Sequence, residues 1–253
     1  MMQVCLNGPR TTADSAAVPM TPAALAEAAR QAVAAGADDV HVHPKTPCGR
    51  DSLSPRVVGP VLEAIRAVVD VPVGVTTGAW AEPAPPPPPE GRGRQPDPRV
   101  ERIRSWTVLP DHASVNWHES GAEDVAATLV ERGVGVEAGL WSGTDGVARF
   151  ARSPLAPRVL RVLAEVTDTR VGSAPATARE LLAAVAAVPH GRPVLLHGWD
   201  GGAWPVLRLA VELGLDTRMG IEDTLLLPDG SPAAGNAPLI RAATAGLRPA
   251  GGG

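Results

Sequence analysis

Val57, Val58, Val61, Leu62, Ile65 and Val68 recur at the spacing of one helical face, and Ser54-Pro55 stands where such a helix begins. On either side the pattern contracts to short apolar runs, Asp39 to Val42 and Val71 to Val75, which are too brief for helices and read as strands. The same alternation continues along the chain. Gln3 to Leu6 is a first strand, and Thr21 caps a helix from Pro22 to Arg30 with proline in its first turn. Strands are predicted at His112 to Val115, Val134 to Ala138, Val162 to Val166, Pro193 to His197 and Asp216 to Ile221. Helices are predicted at Arg99 to Trp106, Ala122 to Arg132, Gly146 to Arg152, Ala176 to Val188, Ala203 to Leu213 and Asn236 to about Leu247. Eight strand-helix units of roughly 30 residues predict an α/β chain closed into a (β/α)8 TIM barrel.

The pattern breaks from Glu82 to Pro98, where five consecutive prolines, Pro85 to Pro89, can join neither a helix nor an interior strand. This stretch is expected to be a loop insertion in one domain covering residues 1–253, a length that suits a single barrel. With no Tyr and a single Phe, the core is expected to be aliphatic. Trp80, Trp117, Trp141 and Trp199 each follow a strand candidate closely, and fit either loop anchors or walls of a substrate pocket. The net charge of −4, with scattered arginines and one lysine, Lys45, argues against nucleic acid as a partner. Cys5 and Cys48 form no paired framework, and no long apolar run or leader-like segment is present. A soluble, reduced, cytoplasmic protein without membrane partners is the expectation.

Candidate chemistry collects where strands end, because TIM-barrel sites occupy the mouth at the carboxyl ends of the strands. Asn7, His41, His43, Thr76, Thr77, Ser114, Asn116, Glu137, His197, Arg218, Glu222 and Asp223 all fall at such predicted ends, and Gly78 closes the loop after the third strand. His41 and His43 are two apart on a strand, so both imidazoles share a face. Two readings fit the pair: metal ligands, or barrel-core histidines bonded to backbone carbonyls. Glu222 offers a third ligand, and two histidines with one carboxylate make a zinc site that leaves a position open for substrate. Glu222-Asp223 also fits a helix cap or a partner for Arg218.

Together these residues resemble the β-keto acid cleavage enzyme family, which includes the 3-keto-5-aminohexanoate cleavage enzyme. The likeness runs through Asn7-Gly8, Met20 to Ala29, Ala35-Gly36-Ala37, His41-Val42-His43, Thr76-Thr77-Gly78, Ser114-Val115-Asn116, Val136-Glu137 and Arg218-Met219-Gly220-Ile221-Glu222-Asp223, with Gly230 and Asn236 beyond. The resemblance implies Zn2+ on His41, His43 and Glu222, and an acid-base pair of Asp223 and Arg218. It implies substrate contacts from Thr76 and Ser114, and the same region would include Asn7, Thr77, Gly78, Asn116 and Glu137. The implied reaction is a retro-Claisen exchange of a β-keto acid with acetyl-CoA, giving acetoacetate and a new CoA ester. Homo-oligomers, commonly tetramers, are implied as well.

Several loops depart from the family pattern. Arg10 stands where some relatives carry an acid, and Pro44-Lys45-Thr46-Pro47, Glu165-Val166-Thr167-Asp168 and His197-Gly198-Trp199-Asp200 replace other turns. Arg10 and Lys45 each fit either recognition of a substrate anion or a solvated surface charge. Two rival readings remain: a metal-dependent amidohydrolase-type hydrolase, which would carry its His-x-His pair on the first strand with further histidines on middle strands and a final aspartate, a pattern that His112, His118 and His197 fit poorly, and a non-enzymatic ligand-binding barrel.

Overall fold

Residue-by-residue burial shows why the chain alternates as it does: the strands are inaccessible on both faces, so each must be covered by a helix outside and by its neighbours' side chains inside. The computed structural model describes residues 1–82 and 97–247, and the side chains up to residue 245. Eight parallel strands close in chain order: β1 (Met2–Cys5), β2 (Asp39–Val42), β3 (Val73–Thr76), β4 (His112–Asn116), β5 (Gly135–Trp141), β6 (Arg161–Val166), β7 (Val194–Gly198) and β8 (Asp216–Met219). Among the described residues eight α-helices surround them: α1 (Pro22–Ala34), α2 (Pro55–Arg66), α3 (Pro98–Arg104), α4 (Ala122–Glu131), α5 (Gly146–Arg152), α6 (Ala174–Ala186), α7 (Ala203–Glu212) and α8 (Asn236–Leu247). This is the (β/α)8 barrel that the pattern predicts.

Local signals set several boundaries. Thr21 accepts a hydrogen bond from the Ala24 amide at the start of α1, with Pro22 at its first position. The insertion expected at 82–98 lies almost wholly outside the described residues, but its far edge needs correction. Asp97 accepts from the Arg99 amide and Pro98 opens α3, so the helix begins one residue inside the predicted loop. Likewise α2 stops at Arg66, and Val68 of the predicted face is exposed beyond its end. β5 runs to Trp141 instead of ending at Ala138, a difference with consequences for Glu137.

The aliphatic core that composition predicts lies between strands and helices, where Val40, Val42, Val73, Val75, Val115, Val136, Leu196 and the inner faces of the helices pack together. Each such side chain contributes about 1.5–3 kcal/mol by leaving water. The barrel interior is different. At its floor Gln3 donates to Asp39 and Glu137, Arg161 pairs with the same two carboxylates at 2.8 and 2.6 Å, and His112 reaches both at 3.0 and 3.2 Å. Burial opposes a charge on His112, but Glu137 and Asp39 outweigh it and push the imidazole up to about 10; Glu137 is held well below its usual range against its own burial by His112 and Arg161. Gly74 makes room for this layer, since a Cβ there would stand 2.0 Å from the His112 ring.

Barrel closure depends on a close approach of another kind. β1 pairs with β8 through Gln3 opposite Arg218 and Val4 opposite Met219, and the chain then turns at Gly220 directly over β1. A Cβ at Gly220 would lie 2.0 Å from the Cys5 carbonyl oxygen, backbone that cannot swing aside. Gly220→Ala is therefore expected to lower stability by about 1–3 kcal/mol or more, read as a fall in thermal unfolding midpoint.

Candidate metal centre

The period of a strand brings His41 and His43 to one face of the barrel mouth, with ring centroids 5.4 Å apart. Glu222 reaches the same point from the turn after β8. That turn is fixed by amides of Asp223 and Thr224 donating to the Gly220 carbonyl, and by Asn236 at the start of α8, which accepts from Ile221 and donates to Leu6. Gly8, at φ +56°, leaves the space that the carboxylate stem occupies: a Cβ there would sit 2.3 Å from Glu222 Cγ.

One ligand atom from each of His41, His43 and Glu222 lies within 4.8 Å of the others, and all three residues are buried. His43 Nε2 is 3.6 Å from Glu222 Oε1, while His41 Nδ1 and Glu222 Oε2 accept or donate no hydrogen bond among the described residues. Buried polar atoms left open in this way fit a shared cation. The donor set, two imidazoles and a carboxylate, suits zinc or a similar divalent ion. Among the described residues this is the one group of three such side chains that converges.

The surroundings orient each ligand. Asn7 accepts from the His43 amide and donates to its carbonyl, both at 2.9 Å, so it clamps the backbone and does not line the cavity. Asp51, which lies outside every sequence expectation, accepts from His43 Nδ1 at 2.9 Å, from Lys45 Nζ at 2.5 Å and from Trp80 Nε1 at 2.9 Å. Its bond to Nδ1 turns His43 Nε2 toward Glu222, the arrangement that second-layer carboxylates give metal-binding histidines. Trp80 stacks on the His43 ring with centroids 6.2 Å apart.

Electrostatics separate the two histidines. Burial is the main cause that pushes His41 down to about 4, so its ring is neutral at pH 7. Burial also opposes a charge on His43, but Glu222 and Asp51 together push it up to about 9. Arg218 crosses between the carboxylates: its Nη2 donates to Glu222 Oε1 at 2.8 Å and its Nε to Asp223 Oδ1 at 3.1 Å. Glu222 is accordingly held well below its usual range in spite of burial, first by Arg218 and then by His43. His197 lies between Asp223 and Glu165, at 3.3 and 3.4 Å; burial and Arg218 oppose its charge, and the two carboxylates raise its pKa nonetheless.

A cavity of about 180 Å³ opens above these groups and is lined by His41, His43, Thr76, Ser114, Asn116, Arg218 and Glu222 of the expected set. Asp223, Thr77, Gly78 and Glu137 lie behind the lining. Thr77 donates its hydroxyl to the Ser114 carbonyl at 2.6 Å, and Gly78 gives way to the Trp80 ring. Glu137 belongs to the floor: because β5 continues to Trp141, residue 137 is near its start, below His41, with Oε2 3.9 Å from His41 Nδ1.

Arg10 and Lys45 also stay out of the cavity. Lys45 is 5% exposed and bound to Asp51, and Arg10 holds the Glu222 carbonyl and pairs with Asp200 at the surface; neither side chain lines the cavity. Trp80, Trp141 and Trp199 are cavity walls, whereas Trp117 is a packing anchor against Phe150. Sequence reasoning missed Glu165 as a lining residue. Its signal was available, since Leu163 and Glu165 alternate onto the inner face of β6 and 165 falls at the carboxyl end.

Comparisons with known proteins add a family and a fold. Residues 1–252 match the family model described as beta-keto acid cleavage enzyme. No curated protein sequence matches the chain. Among solved structures, the apo structure of ObcA is 16% identical with a TM-score of 0.68, covering 89% of this chain and 60% of that one. A ternary complex of ObcA with a C4-CoA adduct and oxalate gives 16% and 0.69, covering 92% and 64%. The chain thus spans less than two thirds of the ObcA chains. The apo form of the homocysteine methyltransferase MmuM from Escherichia coli covers nearly the whole of both chains, 97% and 95%, at 14% identity and a TM-score of 0.54. At these identities the likeness is one of fold.

Two outcomes follow for the metal centre. At pH 7 His43 carries a proton that an incoming ion must displace, while His41 does not. Zinc binding is therefore expected to release about one proton, and apparent affinity to fall about tenfold per pH unit below about 9, measurable by calorimetry in buffers of different ionisation enthalpy. Asp51→Ala removes the acceptor that orients His43, and zinc affinity is expected to drop about 10–100-fold in a competition with a chromophoric chelator.

Proposed function

Because the chain belongs to the beta-keto acid cleavage enzyme family, we propose that it is a zinc-dependent enzyme that exchanges a β-keto acid with acetyl-CoA, giving acetoacetate and a new CoA ester. The observation that carries this reading is the buried convergence of His41, His43 and Glu222 within 4.8 Å at the floor of a cavity, with Arg218 joining Glu222 to Asp223. A divalent ion on that set would polarise the carbonyl groups of a 1,3-dicarbonyl acid and stabilise the enolate charge. A cavity of about 180 Å³ is suited to a small acid. That a protein of the same fold holds a CoA adduct beside oxalate accords with a CoA thioester meeting a small dicarboxylic ligand at this mouth.

The chain's own groups account for the proton movements. Asp223 has one oxygen pinned by Arg218 and close to His197, and the other, Oδ2, without a partner. In this proposal Oδ2 takes the proton from the carbon between the two carbonyls, which the substrate has to bring past Arg218, because Asp223 itself stands behind the cavity lining. The carbanion then forms a bond to the thioester carbon as the CoA thiolate leaves. The thiolate next attacks the original keto carbon; the carbon-carbon bond breaks, and the electron pair stays on the acetoacetate carbon, which recovers the proton. Arg218 holds Asp223 Oδ1 in place and faces developing negative charge as a fixed cation, since its own pKa lies well above the ordinary value: burial opposes the charge, but Asp223, Cys5 and Glu222 outweigh it. Thr76 and Ser114, one on each of two paired strands, present hydroxyls from the cavity wall to hold the substrate.

Zinc-loaded protein incubated with acetyl-CoA and a panel of β-keto acids is expected to form acetoacetate and a new acyl-CoA in equal amounts, detected by mass spectrometry. Asp223→Asn is expected to lower kcat by about 10²–10⁴-fold with zinc content unchanged. Hydrolysis of an amide or lactone without any CoA requirement, or no acyl-CoA from any keto acid, would reject the reading.

A further inference from the structure

Asp51 fixes His43 through Nδ1, whereas His41 Nδ1 is buried and makes no hydrogen bond among the described residues. Two further atoms in the same condition lie beside it in the barrel interior, His112 Nδ1 and Glu137 Oε2. The three converge: Glu137 Oε2 is 3.9 Å from His41 Nδ1 and 3.2 Å from His112 Nδ1, and none of the three residues is more than 2% exposed. The other oxygen of Glu137 is taken, since Oε1 accepts from Gln3 Nε2 at 2.9 Å and from Arg161 Nε at 2.6 Å. His112 Nε2 is likewise committed to Asp39 at 3.0 Å. Buried polar atoms are costly when left open, and here each has its complement within a short reach.

A carboxylate oxygen accepts two hydrogen bonds, and a ring nitrogen that carries hydrogen donates one. Against its own burial His112 is pushed up to about 10 by Glu137 and Asp39, so both of its nitrogens carry hydrogen. A neutral imidazole carries a single hydrogen, and the acceptor it finds decides which nitrogen holds it. Beside His41 Nδ1 that acceptor is Glu137 Oε2. We propose that Glu137 is a positioning residue for the metal centre: it accepts the Nδ1 hydrogen of His41, fixes that tautomer, and leaves the Nε2 lone pair for the ion. A turn of the imidazole about its last side-chain bond, a soft torsion, closes the 3.9 Å separation by about 1 Å to hydrogen-bonding range. Asp51 and Glu137 then act as a pair, one from the loop after β2 and one from near the start of β5, each holding one histidine. Glu137 is held in turn by Gln3, His112 and Arg161, so retention of the ion reaches down to residues of β1, β4 and β6 at the opposite end of the barrel. The inference rests on the metal centre and not on the identity of the substrate.

Two measurements test this role, and neither is catalytic. In the first, the full chain labelled with nitrogen-15 histidine is studied at pH 7, with and without zinc, by long-range proton–nitrogen correlation, which reads the tautomer of each imidazole. The His41 signals are assigned by their loss in His41→Asn. Hydrogen on Nδ1 is expected in both states, and hydrogen on Nε2 in either overturns the proposal. In the second, zinc affinity is measured by competition with a chromophoric chelator in two charge-balanced double variants. Glu137→Met with Arg161→Met removes the acceptor and one cation, whereas Asp39→Leu with Arg161→Met removes as many charges from the same network and keeps the acceptor. Affinity is expected to fall at least about tenfold in the first and to stay within about threefold of wild type in the second. An equal loss in both marks a merely structural role and overturns the proposal, as does an undiminished affinity in the first. If the Glu137→Met, Arg161→Met protein does not fold by circular dichroism, the wild-type spectrum decides. Wild-type protein that holds no zinc rejects the metal centre, and with it the β-keto acid reading, while the spectrum still decides on Glu137. Zinc binding as expected with no keto acid turned over rejects only the proposed reaction and leaves the role of Glu137 standing.

Discussion

The turn of the chain over β1 after β8 sets where every group at the mouth stands. Gly220 lies against the Cys5 carbonyl, and the Glu222 amide then donates to that same carbonyl at 3.3 Å. From this contact outward, Glu222 fits into the space left by Gly8, Arg218 spans from the last strand to both following carboxylates, and Asn236 ties the turn back to Leu6. A one-residue shift would move the carboxylate away from the histidines and leave Arg218 buried without its partners. The metal centre and barrel closure are thus one packing problem, and the two short side-chain-free positions solve it.

The barrel interior departs from the aliphatic filling that composition suggests. Two charged layers occupy it: a floor of Asp39, His112, Glu137 and Arg161, and a mouth of His43, Arg218, Glu222 and Asp223. His41 lies nearest the lower layer, 3.9 Å from Glu137 Oε2, which adds to the stronger field of Glu222, His43 and Arg218 around it. Buried ion pairs of this kind add little net stability but are severe to break singly, because the remaining charge has no solvent to turn to. Their role here is to fix orientation.

Much of this was legible in the sequence, and for identifiable reasons. His41-Val42-His43 carries its geometry in its spacing, since a strand repeats every two residues, and the alternation of strand and helix requires no long-range information. Glu137 was misplaced because the end of β5 was read three residues early, which put a floor residue at the rim. Glu165 was read as part of a turn and not as the last inward position of β6. Asp51 left no signal at all: it sits in an irregular loop, and only the folded chain shows it bonded to His43, Lys45 and Trp80. Periodic elements announce their faces, whereas loops acquire meaning from what they touch.

Asp51 ties together two properties that would otherwise vary separately. The carboxylate that sets the tautomer of His43 also anchors Trp80, which forms part of the cavity wall. A sequence change that reshapes this side of the cavity by releasing the indole alters the acceptor environment of a metal ligand, and one that retunes the ligand loosens the wall. Diversification of substrate range in this barrel is therefore freer on the side of β5 to β7 than beside β2, where selectivity and metal retention share one anchor.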